Sequence, residues 1–547
     1  MKQKSVNVHD FAMIPKAEIP RSSFRMQKMH KTAFSFSNLV PILVEEVLPG
    51  DTWNATMTAV TRTAIPIVPV MDNWHMETFA FFVPNRLIWT NWVKFMGEQV
   101  NIADSISYTV PQLVSPVGGF VVNDLMDYMG LPTVGQVGGG NTVSVNALPL
   151  RAYNLIWATW FRDENLQNTS QHPLNVSDGP DTLADYYLAT RCKRPDYFTG
   201  CLPWPQKGST AVTLPLGTSA IVKTSVADNF TGTQQALQFQ KSTGGAPTIG
   251  FALGGFGGGP QSLGRSTTAV TTGSELWYPS NLYADLSTAT AATVNQLRQS
   301  FQIQKLLERD ARGGTRYTEI VRSHFGVVSL DARLDRPEYI GGGHIPIMLN
   351  AIPQTAQTGL TGGTTPLGTL GATGNAQGTN GFTYNATEHG YIIMLANGRA
   401  DLTYQQGLRK MWSRSTRYDF YFPVFAALGE QAVLNKEIYA DGSANDALVF
   451  GYQERWAELR YNPNQVTGFY RSTSATPIDY WHSAQKFTSL PTLNTTFIND
   501  DAKTVLQRNF AAGALTANQQ LLCDFFFDLT VARPLPMYSV PGMIDHF

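Results

Sequence analysis

The first candidate for chemistry is a glycine-rich stretch, GFALGGFGGGPQSLG, at residues 250–264. Glycine-rich loops often cradle phosphate groups, because glycine lets backbone N–H groups approach the phosphate oxygens closely. A P-loop also needs a lysine after its last glycine, whereas this run ends in Pro260 without one. The dinucleotide fingerprint G-x-G-x-x-G fails too, since Gly255 and Gly257 fit its first positions but Pro260 occupies the last. The stretch is therefore interpreted as an exposed loop and not as a nucleotide site.

The other reactive side chains form no catalytic or metal-binding pattern. The sequence has no H-E-x-x-H, no G-x-S-x-G and no C-x₂-C pair. Neighbouring carboxylates such as Glu45 and Glu46 point apart on a strand, so they do not form a glycosidase pair. His324, His344 and His389 lie near glycines, where a structural role is favoured over the alternative of a metal site. We predict no catalytic residue, no metal site and no cofactor, although distant carboxylates could still meet in the fold.

The composition indicates an all-β protein with large buried or partner-facing surfaces. Of the 547 residues, 15% are charged and 11% are aromatic, and there are 47 glycines and 31 prolines. Typical soluble domains contain about 25% charged residues. The formal net charge of −1 leaves no global attraction to nucleic acid. This balance favours a scaffold of strands and turns with long insertions.

The cysteines and the hydropathy pattern limit the compartment. Cys192, Cys201 and Cys523 cannot all pair, and we interpret them as reduced thiols. The N-terminal sequence lacks the apolar region of a secretory signal. No apolar run approaches the roughly 18 residues that a membrane span needs. The sequence therefore predicts a protein that folds in a reducing compartment and has no membrane partner.

Period-2 patterns and turn signals predict an antiparallel β-sandwich with a few helices. The predicted strands are separated by long stretches and not by short helices, which argues against a parallel sheet. They are Asp51–Thr63, Met76–Pro84, Tyr391–Gly398, Arg417–Phe425 and Cys523–Pro536. The predicted helices are Asn85–Glu98, Asn154–Gln167 and Thr293–Gly314, the last with a capping box at Thr293 and Gln296.

Three segments lack a clear period. Residues 1–35 carry seven basic against two acidic side chains, which suggests an extended basic arm or a solvated tail. Residues 208–292 are poor in charge, and residues 351–387 contain no charge and eight glycines. Both are too long for ordinary connections, so we expect surface insertions or disordered segments.

Basic and aromatic residues alternate in three further stretches. These are Arg191–Gly208, Arg409–Phe422 and Gln453–Arg471. Such mixtures can stack on single-stranded bases and hold phosphates. Aromatic and proline residues of this kind can equally form a contact between subunits.

Five blocks of the sequence resemble one viral family. They are HKTAFSFSNLVPILVEEVLPGDTW, KRPDYFTGCLPWPQKG, SFQIQKLLERDARGGTRYTEIVRSHFGV, YQERWAELRYNPNQVTGFYR and FFFDLTVARPLPMYSVPG. These blocks resemble the major capsid protein of the small single-stranded DNA microviruses, in particular the gokushovirus branch. They extend from about residue 30 to the C-terminus in the expected order.

The resemblance implies an eight-stranded viral jelly roll and a T = 1 icosahedral shell around a circular single-stranded DNA genome. It also implies a large insertion that rises as a three-fold protrusion, which we place in the low-charge segment 208–292. The basic arm at 1–35 precedes the jelly-roll core, which is then 36–207 and 293–547. The expected partners are copies of the chain, the packaged DNA, a small DNA-binding virion protein and a host receptor. The expected location is the virion, assembled in the bacterial cytoplasm. A carbohydrate-binding or carbohydrate-cleaving β-sandwich, such as a phage fibre, is the alternative.

The candidate residues fall into three groups. The predicted DNA contacts are Lys2, Lys4, Lys16, Arg21, Arg25, Lys28, Lys31, Arg409, Lys410, Arg414 and Arg417. The expected contacts at the three-fold insertion are Leu253, Gly254, Gly255, Phe256, Gly257, Gly258 and Gly259. The predicted subunit contacts are Tyr197, Phe198, Trp204, Trp456 and Tyr461.

Overall fold

The structure is a computed structural model of the chain. It describes residues 20–98, 101, 107–208, 221–223, 238–241, 248–249, 277–279, 282–285, 294–313, 323, 335–353, 355, 368–511 and 519–538. The chain divides into two compact units, one of residues 1–205 and 313–547 and one of residues 206–312.

The larger unit is built on an eight-stranded antiparallel sheet with the order β1-β17-β3-β13-β12-β4-β14-β2. It adds the short pairs β5–β6 and β15–β16. This arrangement confirms the predicted all-β jelly roll. In chain order the strands of both units are β1 (Ser22–Phe34), β2 (Val40–Val47), β3 (Thr52–Thr63), β4 (Trp74–Pro84), β5 (Gln112–Val114), β6 (Ser144–Asn146), β7 (Ile221–Lys223), β8 (Gln238–Lys241), β9 (Thr248–Ile249), β10 (Trp277–Pro279), β11 (Tyr283–Asp285), β12 (Glu338–Pro353), β13 (Leu370–Asn385), β14 (Gly390–Ala400), β15 (Glu430–Leu434), β16 (Val449–Glu454) and β17 (Leu521–Arg533).

Alternating side chains explain why β3 and β17 lie at the centre of one core. Trp53 and Met57 on β3 are buried together with Phe525 and Phe527 on β17, while alternate positions such as Asn54 and Thr56 are exposed. Burying one face of each strand fixes the register, because a slip of one residue would expose the whole apolar set.

β14 separates two hydrophobic cores. Ile392 and Met394 face the core that holds β3 and β17. Ile393 and Leu395 face a second core, where they meet Tyr153 and other residues of the helical layer. A continuous apolar strand is expected wherever both faces of a sheet are covered. A third core lies around Phe198, Val433 and Phe497.

Part of the basic segment is a strand, contrary to the expectation of no regular structure in residues 1–35. Ser22–Phe34 forms β1 and pairs with β17 along its whole length. The period-2 signal is weak because most of its side chains are exposed or half-buried on both faces. β1 is the terminal strand of the sheet order, which explains this exposure.

The expectation of an outer insertion at 351–387 is wrong for Leu370–Asn385, which forms β13 between β3 and β12. Its inward positions carry Ala372, Gly374 and Ala376 ahead of the first large residue, Phe382, so the alternation is there but begins with small residues. A Cβ at Gly378 would lie 2.8 Å from Cγ1 of Ile345. Glycine in this strand therefore serves close approach of neighbouring chain segments.

The predicted strand Arg417–Phe425 is also wrong, because this segment forms two 3₁₀ turns, Arg417–Asp419 and Pro423–Phe425. The Asp419 carboxylate accepts hydrogen bonds from the backbone N–H groups of Ser415 and Thr416. Pro423 has no N–H to give to a neighbouring strand. The local hydrogen bonds replace a strand ladder here.

The helices are short apart from one in the smaller unit. Val294–Arg312 confirms the helix predicted at Thr293–Gly314, while its predicted capping box lies outside the described residues. The helix predicted at Asn154–Gln167 instead begins at Leu148 and ends as a π-helical turn at Phe161, and the one predicted at Asn85–Glu98 is two separate turns. The α- and π-helical segments of the larger unit are Asn85–Ile88, Trp92–Phe95, Leu125–Tyr128, Leu148–Ile156, Trp157–Phe161, Asn435–Ile438, Thr495–Ile498 and Ala502–Val505. Its 3₁₀ turns are Thr169–Gln171, Leu183–Asp185, Lys410–Ser413, Arg417–Asp419, Pro423–Phe425, Ala444–Ala447, Ala457–Leu459, Gly468–Tyr470, Asp479–Trp481 and Leu506–Asn509.

The smaller unit contains the helix Val294–Arg312 and two small sheets. Antiparallel β8 pairs with β9 and β10, and β7 pairs with β11. The glycine-rich stretch 250–264, with the predicted three-fold contacts Leu253–Gly259, lies outside the described residues.

Candidate functional site

The cations of β1 face carboxylates. Arg25 donates to both carboxylate oxygens of Asp528, at 2.9 and 2.6 Å. Lys28 is 3.1 Å from Glu45. Charge and hydrogen bonding raise the pKa of Arg25 and lower that of Asp528. Arg25 and Lys28, both predicted to contact DNA, therefore already have partners within the chain.

The ion pairs of β1 are exposed to solvent, so a DNA phosphate can replace the carboxylate. Lys31 also pairs with Asp524, and its side chain is 71% exposed. Solvent-exposed ion pairs contribute little to stability, because both charges remain hydrated and salt screens them. Arg21 is held differently, by hydrogen bonds to Thr52 and to the backbone oxygens of Gly50 and Ala532. Lys2, Lys4 and Lys16 lie outside the described residues.

The structure divides the second predicted DNA cluster into two pairs of cations. Lys410 donates to the Ala432 carbonyl at 3.0 Å and lies 3.4 Å from the buried carboxylate of Glu437. Arg414 is 3.3 Å from Glu458, and both side chains are largely buried. These two cations therefore hold the local fold together.

The remaining two cations of this cluster, Arg409 and Arg417, are exposed. The Arg417 guanidinium lies 5.5 Å from the ring centre of Phe422. Neither residue forms an ion pair with the part of the chain that the structure describes. Arg409 and Arg417 are thus the two cations of this cluster that can meet a phosphate without breaking an ion pair within the described chain.

Three of the predicted subunit contacts are buried within the chain itself. Tyr197 and Phe198 belong to the third core. Trp456 is 5% exposed, and its indole N–H donates to the Phe425 carbonyl at 3.0 Å. Trp456 therefore needs neither a neighbouring subunit nor the genome to bury it.

The other two predicted contacts are more accessible. Tyr461 stacks on Tyr197 with 5.5 Å between ring centres and 9° between planes. Trp204 is half-buried, and its indole nitrogen is buried without a hydrogen-bond partner among the described residues. Of the five residues, Trp204 is the one whose polar atom is left to be satisfied by something outside the described chain.

A network of buried charges, which sequence reasoning missed as a unit, supports this region. Glu77 on β4 pairs with Arg191, lies 3.4 Å from Arg194 and lies 3.6 Å from Arg399 on β14. Burial alone would raise the pKa of Glu77, but the three guanidiniums together hold it below its usual value. The basic run Arg191–Arg194 is visible in the sequence. Nothing in the sequence indicates that Glu77, more than a hundred residues earlier, is its carboxylate partner.

Two further buried charges lie behind the network. Burial lowers the pKa of Lys193 to about 8 and raises the pKa of Asp500 to about 6. The Lys193 ammonium lies 4.2 Å from the ring centre of Phe497. Burial of both charges costs free energy that the surrounding opposite charges partly offset.

Segments that are far apart in the sequence line one cavity. Lys193–Phe198, Arg399–Arg414 and Glu458–Val466 surround it, together with Glu437, Arg471 and Asp500. Tyr197, Phe198, Tyr461, Arg409, Lys410 and Arg414, predicted for two different roles, thus lie around the same space. The other predicted DNA and subunit contacts among the described residues do not line it; they are Arg21, Arg25, Lys28, Lys31, Arg417, Trp204 and Trp456.

Nothing among the described residues indicates catalysis by a metal or a thiol. No group of three His, Cys, Asp or Glu side chains there could hold a metal ion. The three cysteines are unpaired, and burial raises the pKa of Cys192 and of Cys523 to about 12. A helix long and apolar enough to cross a membrane is also missing from this part of the chain.

Comparison with known proteins gives matches along almost the entire chain. Residues 12–543 match the family described as capsid protein (F protein). The chain is 44% identical to capsid protein VP1 of Bdellovibrio phage phiMH2K, 39% to that of Chlamydia phage 1 and 38% to that of Spiroplasma virus 4. Each alignment covers 99% of this chain and 99% of the relative.

Proposed function

Because the chain belongs to the capsid protein (F protein) family, as the microvirus resemblance indicated, we propose that it self-assembles into a T = 1 shell around a circular single-stranded DNA genome. The observation that carries this proposal is the full-length agreement with viral capsid proteins together with the eight-stranded jelly roll. A jelly roll whose described residues hold no metal-binding cluster suits a building block of a shell. We assign a structural role and no enzymatic activity.

Assembly is tested by expressing the full-length chain and imaging the purified protein by electron microscopy. Uniform closed icosahedral particles are the expected result. Monomers or isolated trimers under all assembly conditions would contradict the proposal and favour the carbohydrate-binding alternative. Nuclease treatment of particles purified from infected cells then tests the cargo, since an enclosed genome is protected and is digested by a single-strand nuclease only after the shell is opened.

We assign the DNA contacts to the basic arm and to the cations of the second cluster that the fold leaves exposed. These are the arm residues and the exposed pair Arg409 and Arg417, whereas Lys410 and Arg414 are engaged by Glu437 and Glu458. Contacts of this kind bind the phosphate groups and do not read the bases, so they should not depend on the DNA sequence. A small DNA-binding virion protein is a further partner in this proposal.

The insertion at 208–292 is assigned to the outer surface of the particle. The proposal rests on its low charge, its glycine content and its place between blocks that resemble the family. Three copies would meet at each three-fold axis with Leu253–Gly259 near the contact, and the protrusion would bind a host receptor. The virion is then the place where the protein acts, and the bacterial cytoplasm is where it assembles.

A further inference from the structure

The cavity at the junction of three distant segments has the size and lining of a ligand site. Its volume is about 500 Å³, within the range of roughly 300–1,000 Å³ usual for small-molecule pockets. All of its lining residues belong to the larger unit. The site is therefore formed by one chain and is complete without a second copy.

The charges around the cavity do not cancel. Seven cationic and five carboxylate side chains line it. Glu437 is engaged by Lys410, Glu458 by Arg414 and Asp401 by Arg194, at 3.4, 3.3 and 3.2 Å respectively.

The two remaining carboxylates also face cations. Asp500 interacts electrostatically with Arg399, and Asp196 with Lys193. Arg409 and Arg471 are left over, both exposed and neither in an ion pair with any residue that the structure describes. The cavity thus has two guanidiniums available for an anionic ligand.

An aromatic surface accompanies these two cations. Trp412 lies in the single 3₁₀ turn Lys410–Ser413, and its side chain is 69% exposed. Within the described chain no ring stacks on it and no cation lies over it. An exposed indole at the edge of a concave site is available to stack on a planar ring.

We propose that this cavity binds one nucleotide unit of single-stranded DNA, with Arg409 and Arg471 on the two flanking phosphates and Trp412 against the base. This inference rests on the proposed function, because the single-stranded DNA would be the genome that the shell encloses. A duplex would not fit this arrangement, because its bases are stacked on each other and cannot reach the indole.

Two other occupants fit the lining less well. A neutral sugar would use the aromatic surface but would leave two guanidiniums without partners. A protein interface would bury this region against a partner, and interface centres are depleted in charge. Phosphate on two arginines and a base on tryptophan match all three available groups.

The test measures binding of a fluorescent ten-residue thymidine oligonucleotide to the full-length protein over a range of KCl concentrations. For single strands the slope of log K against log salt changes by about 0.7 per phosphate neutralised. Arg409→Gln and Arg471→Gln should each reduce the slope by about that amount, and the lysine replacements should restore it. Arg62→Gln, which removes an exposed arginine on β3 outside the cavity, is the control and should leave the slope unchanged.

Trp412→Ala should weaken oligonucleotide binding by about tenfold with no change in the salt slope, because stacking is not electrostatic. Equal affinity and slope for the cavity variants and Arg62→Gln would overturn the inference. So would displacement of the oligonucleotide by a neutral oligosaccharide, or equal affinity for a duplex of the same length.

Particle imaging of the same variants separates this inference from the proposed function. Intact shells with lost oligonucleotide binding support both. Intact shells with unchanged binding reject the cavity alone. Loss of shells with unchanged binding assigns the cavity to a contact between subunits and rejects the nucleotide site.

Discussion

Lys31 on β1 and Asp524 on β17 lie directly opposite each other in the antiparallel register, and the lysine ammonium donates a hydrogen bond to the carboxylate. Arg25 and Asp528 form a diagonal pair on the same two strands. Cross-strand pairs of opposite charge favour one register of an edge strand. The same cations that were expected to face DNA therefore also favour this register of the edge strand.

The arm cations should have a measurable role in packaging. Changing the seven residues Lys2, Lys4, Lys16, Arg21, Arg25, Lys28 and Lys31 to Gln should give shells that form but contain less DNA. Loss of counterion release should also make DNA retention less sensitive to salt. The measurement is the ratio of DNA to protein in purified particles at increasing salt.

A matched variant separates DNA binding from strand pairing. Changing Glu45, Asp524 and Asp528 to their amides removes the same ion pairs but leaves the cations free. This variant should package at least as much DNA as the native chain. If both variants lose DNA equally, the pairs matter for the sheet and the arm is not the DNA contact.

Trp204 should matter for assembly and not for folding of the subunit. Its side chain is only half-buried in the subunit, so another subunit can still cover it. Trp204→Asp should give a folded subunit, by circular dichroism, that forms no shells. Trp456→Asp, which breaks an internal contact to Phe425, should instead destabilise the subunit. A normal yield of particles from Trp204→Asp would refute the assignment.

Deleting residues 250–264 and closing the gap should leave shell formation intact, because a surface loop contributes little to the stability of a sandwich core. Infectivity of virus carrying the deletion should fall if the insertion binds the host. Particle yield and plaque counts are the two measurements. An unfolded subunit would show that the segment belongs to the core and not to the surface.

Gly381 should tolerate no side chain. A Cβ at this position would lie inside the contact distance of the Ala55 carbonyl oxygen on β3, where two paired backbones leave no room to move. Gly381→Ala should lower the free energy of unfolding by about 1–3 kcal/mol. Gly371→Ala is the control on the same strand, since its Cβ would lie 3.5 Å from the Ile352 carbonyl oxygen, an ordinary contact. Urea midpoints for the two variants give the comparison.

Asp500 should make the subunit less stable as the pH rises towards neutrality. Burial raises the pKa of its carboxyl to about 6, while an aspartate in an unfolded chain titrates near 3.9. Between those values the folded state binds more protons than the unfolded state, so the free energy of unfolding falls as pH rises. The loss from this group amounts to about 3 kcal/mol and is complete above about pH 6.

Asp500→Asn should remove this fall, because the amide has no charge to bury and its oxygen can keep the hydrogen bond from the Ala502 N–H, now 2.9 Å. Urea midpoints between pH 4 and pH 7 provide the measurement. Asp501→Asn, one residue further on, should leave the pH dependence as it is. An unchanged pH dependence in Asp500→Asn would show that another group causes it.

Strands with large inward residues could be predicted from the sequence, and strands with small ones could not. In β3 the alternation of Trp53 and Met57 with polar residues is plain. In β13 the inward positions hold Ala372, Gly374 and Ala376, which fill narrow space next to β3 and β12. Period-2 patterns are recognised by their large apolar residues, so alternation between small and polar residues is not recognised as a strand. The polar strand therefore resembled a loop.

The basic and aromatic residues around the cavity could be predicted from the sequence, but their ion-pair partners could not. The sequence shows that Lys410 and Arg414 lie in a basic and aromatic stretch. Their carboxylates are Glu437 and Glu458, 27 and 44 residues away on other elements. Only the fold decides which cations are neutralised, so Arg409 and Arg471 could be recognised as available only after the carboxylates had been placed.

The position of β17 between β1 and β3 has a consequence for synthesis of the protein. β17 begins at Leu521, so some 500 residues of chain follow β1 before its partner exists. The nascent chain therefore carries β1 and β3 with nothing between them until β17 has been synthesised, and such long-range pairing is slow. Chains from interrupted translation have no β17 and cannot complete the sheet. Only a polypeptide that includes β17 can become a building block, and this requirement acts as a quality check before the subunit joins a growing particle.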